Sequence, residues 1–235
     1  MSRGLAIAIA LGSAAFVFLT VVAVVVGVTL VQSLESGDAQ RIEESTPAEV
    51  ERIDGLTVGD GEQEIVLYVD LHCPPCGDLL TANRDQLTEW IESGEASVEI
   101  RPVAILDRAS EDSDYSTRAA AAVACQADEN PDLLLDYVFS LAENQPAVGE
   151  RGHNDRALID VADDLGGDSI ADCVEGEDRK GWVEAATNAA LLGPIDGADI
   201  ENISYTPTVL VNGVLFESHS SEPADLAEFF AEQSR

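Results

Sequence analysis

Cys73-Pro-Pro-Cys76 is the part of the sequence best equipped for chemistry. Two cysteines at this spacing, opening a helix, can close a disulfide or open to a dithiol. At a helix N-terminus the unpaired amides and the dipole favour an anion, so Cys73 is expected to ionise. A thiolate is the attacking species in disulfide exchange, and Cys76, one turn further in, can resolve the mixed disulfide. Pro74 and Pro75 are tolerated because the first helical turn does not need their N–H groups. Pro75 nevertheless removes one amide that could have faced the Cys73 sulfur. The Cys76 N–H is then the nearest remaining donor, and activation should be weaker than with a non-proline third residue. The same spacing is also half of a zinc site, but Cys125 and Cys173 stand singly and 48 positions apart, not as a second close pair. A purely structural bridge is disfavoured as well, since so small a loop removes little chain entropy. Redox exchange is the favoured chemistry, with no metal.

The neighbouring segments supply a frame for such a site. Glu64 to Leu71 (Glu-Ile-Val-Leu-Tyr-Val-Asp-Leu) is apolar enough for a strand buried on both faces and runs directly into the cysteine pair. Leu79, Leu80, Leu87, Trp90 and Ile91 mark one face of the following helix, and Val98 to Leu106 is another strand candidate. Leu56-Thr-Val is a short first strand. Residues 112–192 read as helices: Tyr115 to Gln126, Asp132 to Leu141 capped by Asn130-Pro131, Asn154 to Leu165 before Gly166, Ser169 to Val174, and Gly181 to Leu192. Thr208 to Asn212 and Val214 to Glu217 form a hairpin about Gly213, and Glu222-Pro223 opens a last helix. The order of elements predicts an α/β domain carrying a helical insertion.

Residues 5–32 contain no charged side chain, and about 20 apolar residues suffice to cross a bilayer as a helix. Arg3 precedes the stretch while Glu35 and Asp38 follow it, so residues 33–235 are expected outside the cytoplasm. The run is too long for a signal peptide, and its end offers no Ala-x-Ala cleavage site. An uncleaved N-terminal transmembrane helix over 1–32, an acidic spacer over 33–53 and a domain over 54–235 are the expected organisation. All four cysteines then lie where disulfides persist, and four cysteines permit three pairings. The chain has 45 Asp plus Glu against 12 Lys plus Arg, a net charge of −33. Such a surface repels phosphate backbones, which argues against a nucleic-acid partner.

Val-Asp-Leu-His-Cys-Pro-Pro-Cys (69–76), taken with Tyr-Thr-Pro-Thr-Val-Leu-Val-Asn-Gly (205–213), resembles the DsbA-like branch of the thioredoxin superfamily. Ala-Ala-Ala-Ala-Val-Ala-Cys (119–125), Ala171-Asp-Cys and Gly181-Trp-Val-Glu-Ala-Ala-Thr are similar to that branch in its membrane-anchored, Gram-positive form. The resemblance covers roughly residues 54–234. It implies a thioredoxin fold with a helical insertion, and Cys73, Cys76 and a cis Pro207 as the catalytic set. It also implies that the Thr206 backbone holds a substrate peptide as an added strand. The implied activity is the introduction of disulfides into reduced or unfolded exported proteins, with reoxidation by a DsbB- or VKOR-like membrane protein. No bound cofactor is implied. A tethered reductase or isomerase, or a binding module using the Thr206-Pro207 groove, are the alternatives.

Two departures stand out. Many members of the branch carry a buried acid six residues before the first cysteine, where this chain has Leu67, leaving Asp70 and Glu64 as the nearest acids. Pro75 replaces a familiar histidine. Members of the branch often have a second, structural bridge; here Cys125–Cys173 would close a loop of about 49 residues, worth about 4 kcal/mol in chain entropy. A resolving or relay role for that pair is the alternative. His72 is placed with Thr206 and Pro207 as a substrate-side residue that could tune Cys73 as a cation, although an exposed ring pointing away is the simpler expectation for a strand end.

Overall fold

The computed structural model describes residues 55–218 and 221–234. The expected anchor (5–32) and spacer (33–53), and His219, lie outside the described residues. Among the described residues no helix is long and apolar enough to cross a membrane.

Five strands form one sheet: β1 (Leu56–Val58), β2 (Gln63–Val69), β3 (Ala96–Pro102), β4 (Thr208–Val211) and β5 (Val214–Leu215), in the order β1-β3-β2-β4-β5. β2 and β3 are parallel, and the other neighbours are antiparallel. A parallel pair needs a long crossover, and here that crossover is the helix α1 (Pro74–Glu92) bearing the cysteine pair. The β4–β5 turn places Asn212 at φ 52° and Gly213 at φ 80°, the left-handed pair that a tight hairpin requires.

Side chains alternate across the sheet with period two. Ile65, Leu67 and Val69 of β2 join Val98, Ile100, Val209 and Val211 in the main core against α1 and the insertion. Val66, Tyr68 and Leu210 face the other way, against Ala190 and Ile203. Trp90 of α1 stacks on Phe230 of the last helix, α7 (Pro223–Gln233), with ring centroids 4.1 Å apart.

The insertion between β3 and β4 holds α2 (Tyr115–Glu129), α3 (Leu134–Glu143), α4 (Asp155–Leu165), α5 (Ala171–Glu175) and α6 (Lys180–Leu192). β3 ends at Pro102, four residues before the expected Leu106, because the chain turns there into a 3-10 turn at Asp107–Ala109. The Asp107 carboxylate accepts from the Thr117 amide at 2.9 Å and its hydroxyl at 2.6 Å, which caps α2 from outside the helix. Asn130 does not cap the next helix as expected. Pro131–Leu133 forms a 3-10 turn, and the Asn130 amide instead pins residue 168 through bonds to both its N–H and its C=O. Asn154 does cap α4, accepting from the Ala157 N–H at 2.9 Å, and Gly166 ends it at φ 78°.

Cys125 of α2 and Cys173 of α5 are joined by a disulfide across 48 positions. A loop of that length constrains the unfolded chain by about 4 kcal/mol. The double variant Cys125→Ala/Cys173→Ala is expected to lose roughly that much in a denaturant titration under oxidising conditions. A loss below about 1 kcal/mol would show that the bridge does not staple the insertion.

Candidate active site

Cys73 is the N-cap of α1, with extended φ/ψ, and Pro74 and Pro75 occupy the first helical positions. Its carbonyl accepts from the Cys76 N–H at 2.9 Å and the Gly77 N–H at 3.1 Å, so the helix starts without any contribution from the two proline nitrogens. Both thiols are free. Cys73 keeps only 6% of its surface exposed and Cys76 none, so the first sulfur alone can meet an incoming group.

The two sulfurs are tuned in opposite directions. The Cys76 thiol, donating towards Cys73, is the largest influence holding the Cys73 thiol down at about 6. The Thr206 side chain and the Cys76 amide help, while burial and the charge of Asp70 oppose the shift. The surviving Cys76 N–H donates to the Cys73 carbonyl and is only a lesser influence on the Cys73 sulfur. Burial pushes Cys76 far up, and the Cys73 sulfur beside it adds to the rise. One thiolate and one retained proton is the state that an attacking and resolving pair needs.

Across from the pair, the Thr206–Pro207 peptide is cis. The Cys73 thiol donates to the Thr206 carbonyl at 3.4 Å, so the loop before β4 closes directly over the reactive sulfur. Beside it a cavity of about 410 Å³ is lined by Pro75, Leu79, Thr206, Pro207, Val209 and Phe216, among others.

Beneath the pair lies Asp70, fully buried. Its Oδ1 accepts from the His72 N–H and the Ser116 hydroxyl, each at 2.8 Å, and its Oδ2 accepts from the Ile105 and Leu106 N–H groups, each at 2.8 Å. Its carbonyl accepts from the Cys73 N–H at 3.0 Å. Burial pushes the carboxyl above its ordinary value, and these four donors, led by the His72 amide, pull the other way. Glu64 sits exposed at the far end of β2 and takes no part. Asp70 is thus the acid beneath the dithiol, three residues before Cys73 and not six. Ser116 had no signal in the sequence; it is one small polar residue in an alanine-rich helix.

His72 contradicts the expectation of an exposed ring. It is fully buried. Because its N–H turns in to Asp70, the ring packs edge-on against Tyr115 at 5.3 Å, with Nε2 3.2 Å from the Ala147 carbonyl. The side chain has no surface with which to touch a substrate. His153 packs on the same Tyr115, with ring centroids 5.8 Å apart. Among the described residues there is no cluster of three or more His, Cys, Asp or Glu arranged for a metal ion.

The thioredoxin family matches residues 54–229, most of the chain. The chain belongs to that family. Among solved structures it is similar to oxidised DsbA from Mycobacterium tuberculosis, at 27% identity and a TM-score of 0.65 over 76% of this chain and 92% of that one. The reduced disulfide bond oxidoreductase DsbG of the same organism matches at 27% identity and a TM-score of 0.63, over 76% and 86% of the two chains. The serine/threonine-protein kinase PknE of M. tuberculosis is 28% identical over 145 residues, 58% of this chain. The match spans only about a quarter (26%) of that relative's length. The described domain is a thiol–disulfide oxidoreductase of the DsbA type, with the helical insertion that goes with it.

Alkylation of the reduced protein by iodoacetamide should rise with pH about a midpoint near 6 for Cys73. Cys76→Ala removes the largest stabiliser of that thiolate, so the midpoint should move up towards the ordinary thiol value; an unmoved midpoint would contradict the assignment. The linkage has a definite sign. A depressed thiol contributes stability to the reduced protein that is fully present above the unfolded-state value near 8.5 and is lost as pH falls through about 6.

Proposed function

We propose that this protein introduces disulfides into exported proteins through Cys73 and Cys76, outside the cytoplasm, held at the membrane by residues 5–32. The observation that carries the proposal is the asymmetric pair: one accessible low-pKa sulfur at a helix N-cap, facing a cis-proline loop, with its partner sealed behind it. The names of the similar mycobacterial structures, DsbA and DsbG, support the same chemistry.

In the oxidised enzyme a substrate thiolate attacks Cys73 Sγ, and the Cys73–Cys76 bond breaks. Cys76 leaves with the electron pair and, being strongly basic in its buried site, takes up a proton. A second substrate thiolate attacks the substrate sulfur of the mixed disulfide and expels Cys73 as a thiolate. The substrate loses two electrons and the enzyme gains them. The Thr206 backbone, beside Cys73, is the edge proposed to hold the substrate strand. Return to the disulfide needs an electron acceptor, for which a DsbB- or VKOR-like membrane protein passing electrons to a quinone is proposed.

One observation favours the reductase or isomerase alternative. A Cys73 value near 6, in place of 9, stabilises the reduced form only about tenfold at pH 7 and so makes the pair more oxidising by just ~30 mV for a two-electron couple. It lies nearer thioredoxin's (about 7) than DsbA's (about 3.5). The ionisation of Cys73 alone therefore does not set the direction.

The direct test is trapping in cells. Cys76→Ser should accumulate mixed disulfides with exported proteins on Cys73, and Cys73→Ser should accumulate none. Equal trapping by the two variants, or none by either, would overturn the proposal.

A further inference from the structure

The cavity beside Thr206 is the upper part of a longer groove. Its floor is apolar, with Leu79, Val209 and Phe216. Phe216 and Ser218 are shared with a second hollow of about 350 Å³, which continues between the segment after β5 and helix α7. The charged residues lining the two hollows are Asp78 in the first, and Glu217, Asp225, Glu228 and Glu232 in the second. All five are exposed, and no Lys or Arg lines either hollow. Among the described residues none of the five enters an ion pair, whereas Arg84, Arg118, Arg156 and Arg179 are each paired with carboxylates elsewhere. The exposed cations Arg108 and Arg151 lie on loops of the insertion and line neither hollow.

We infer that this groove selects cysteine-containing peptide segments whose flanking side chains are lysine or arginine. The inference rests on the oxidoreductase activity proposed above and names the substrate class for it. An extended peptide with its cysteine at Cys73 places alternate side chains over the apolar floor and along the carboxylate margins. Five unneutralised carboxylates attract a cationic flank, and they repel an acidic one, which would have to approach like charge. The effect is short-ranged: the Debye length is about 8 Å at physiological ionic strength. A flanking lysine that lies along the groove margins feels these carboxylates strongly, and distant acids of the surface weakly. The reaction on such a peptide is balanced as before: a dithiol peptide gives two electrons to the Cys73–Cys76 disulfide and loses two protons, one to Cys76 and one to solvent, with Cys73 left as a thiolate.

The test uses the oxidised full-length protein in neutral detergent and two peptides, each with two cysteines. The peptides are identical except that the flanking positions are lysine in one and glutamate in the other. Each oxidation rate is divided by the peptide's rate with the uncharged bis(2-hydroxyethyl) disulfide, which removes the effect of flanking charge on intrinsic thiol reactivity. The lysine peptide should be oxidised at least fivefold faster at 20 mM salt, with the advantage shrinking towards unity at 0.5 M. The variant Asp78→Asn/Glu217→Gln/Glu228→Gln/Glu232→Gln should lose most of that advantage. Glu129→Gln/Asp132→Asn/Asp164→Asn/Asp168→Asn removes the same charge from exposed sites lining neither hollow, and should keep it. Equal normalised rates for the two peptides would overturn the inference. So would an equal loss in both variants, which would assign the preference to net charge. If neither peptide is oxidised, the oxidase proposal itself fails.

Discussion

The structure around the dithiol depends on one buried carboxylate. Asp70 directly follows the central strand β2, and its two oxygens collect donors from three separate places: the active-site turn, the loop after β3, and the first turn of α2 in the insertion. A carboxylate taken out of water is costly unless each lone pair is satisfied, and here four donors at 2.8 Å satisfy it. That necessity fixes the geometry above it. The His72 amide must turn inward, the Cys73 amide closes on the Asp70 carbonyl, and the N-cap of α1 follows. The same bonds tie the insertion to the site, so the insertion is part of the support of the cysteine pair. Cys125–Cys173 then staples that support to itself further out.

The consequence for reactivity is a balance between opposing fields. Asp70 stands close enough to oppose the Cys73 thiolate, and the Cys76 thiol, the Cys76 amide and the Thr206 side chain outweigh it. The result is a thiolate formed below neutrality without the extreme stabilisation of the strongest oxidants in the family. The middle dipeptide fits this picture. With no N–H on either proline, the amide support that remains comes from Cys76, and the side chain of Cys76 has become the larger influence.

Much of the frame was legible in the sequence because it rests on local signals. The apolar run from Glu64 to Leu71, the cysteine pair after it, the Asn212-Gly213 turn, and the Asn154 and Gly166 ends of α4 are each specified by a few adjacent residues. What was not legible depends on contacts between distant segments. Asn130 looked like a helix cap, and its amide instead found a partner 38 positions away. His72 looked like an exposed strand end, but the pull of Asp70 on its amide turned the ring inward against Tyr115. Asp70 could be named as an acid near the site, while its partners Ser116, Ile105 and Leu106 could not, two of them acting only through backbone N–H groups.

The direction of electron flow is where sequence, geometry and charge meet, and one number decides it. The reduction potential of Cys73–Cys76, measured by equilibration with glutathione with Cys125–Cys173 intact, tests the proposed function most directly. The expected value is closer to DsbA's (about −120 mV) than to thioredoxin's (about −270 mV). A value at or below about −250 mV would contradict it, since the domain would then donate electrons to disulfides and could not form them.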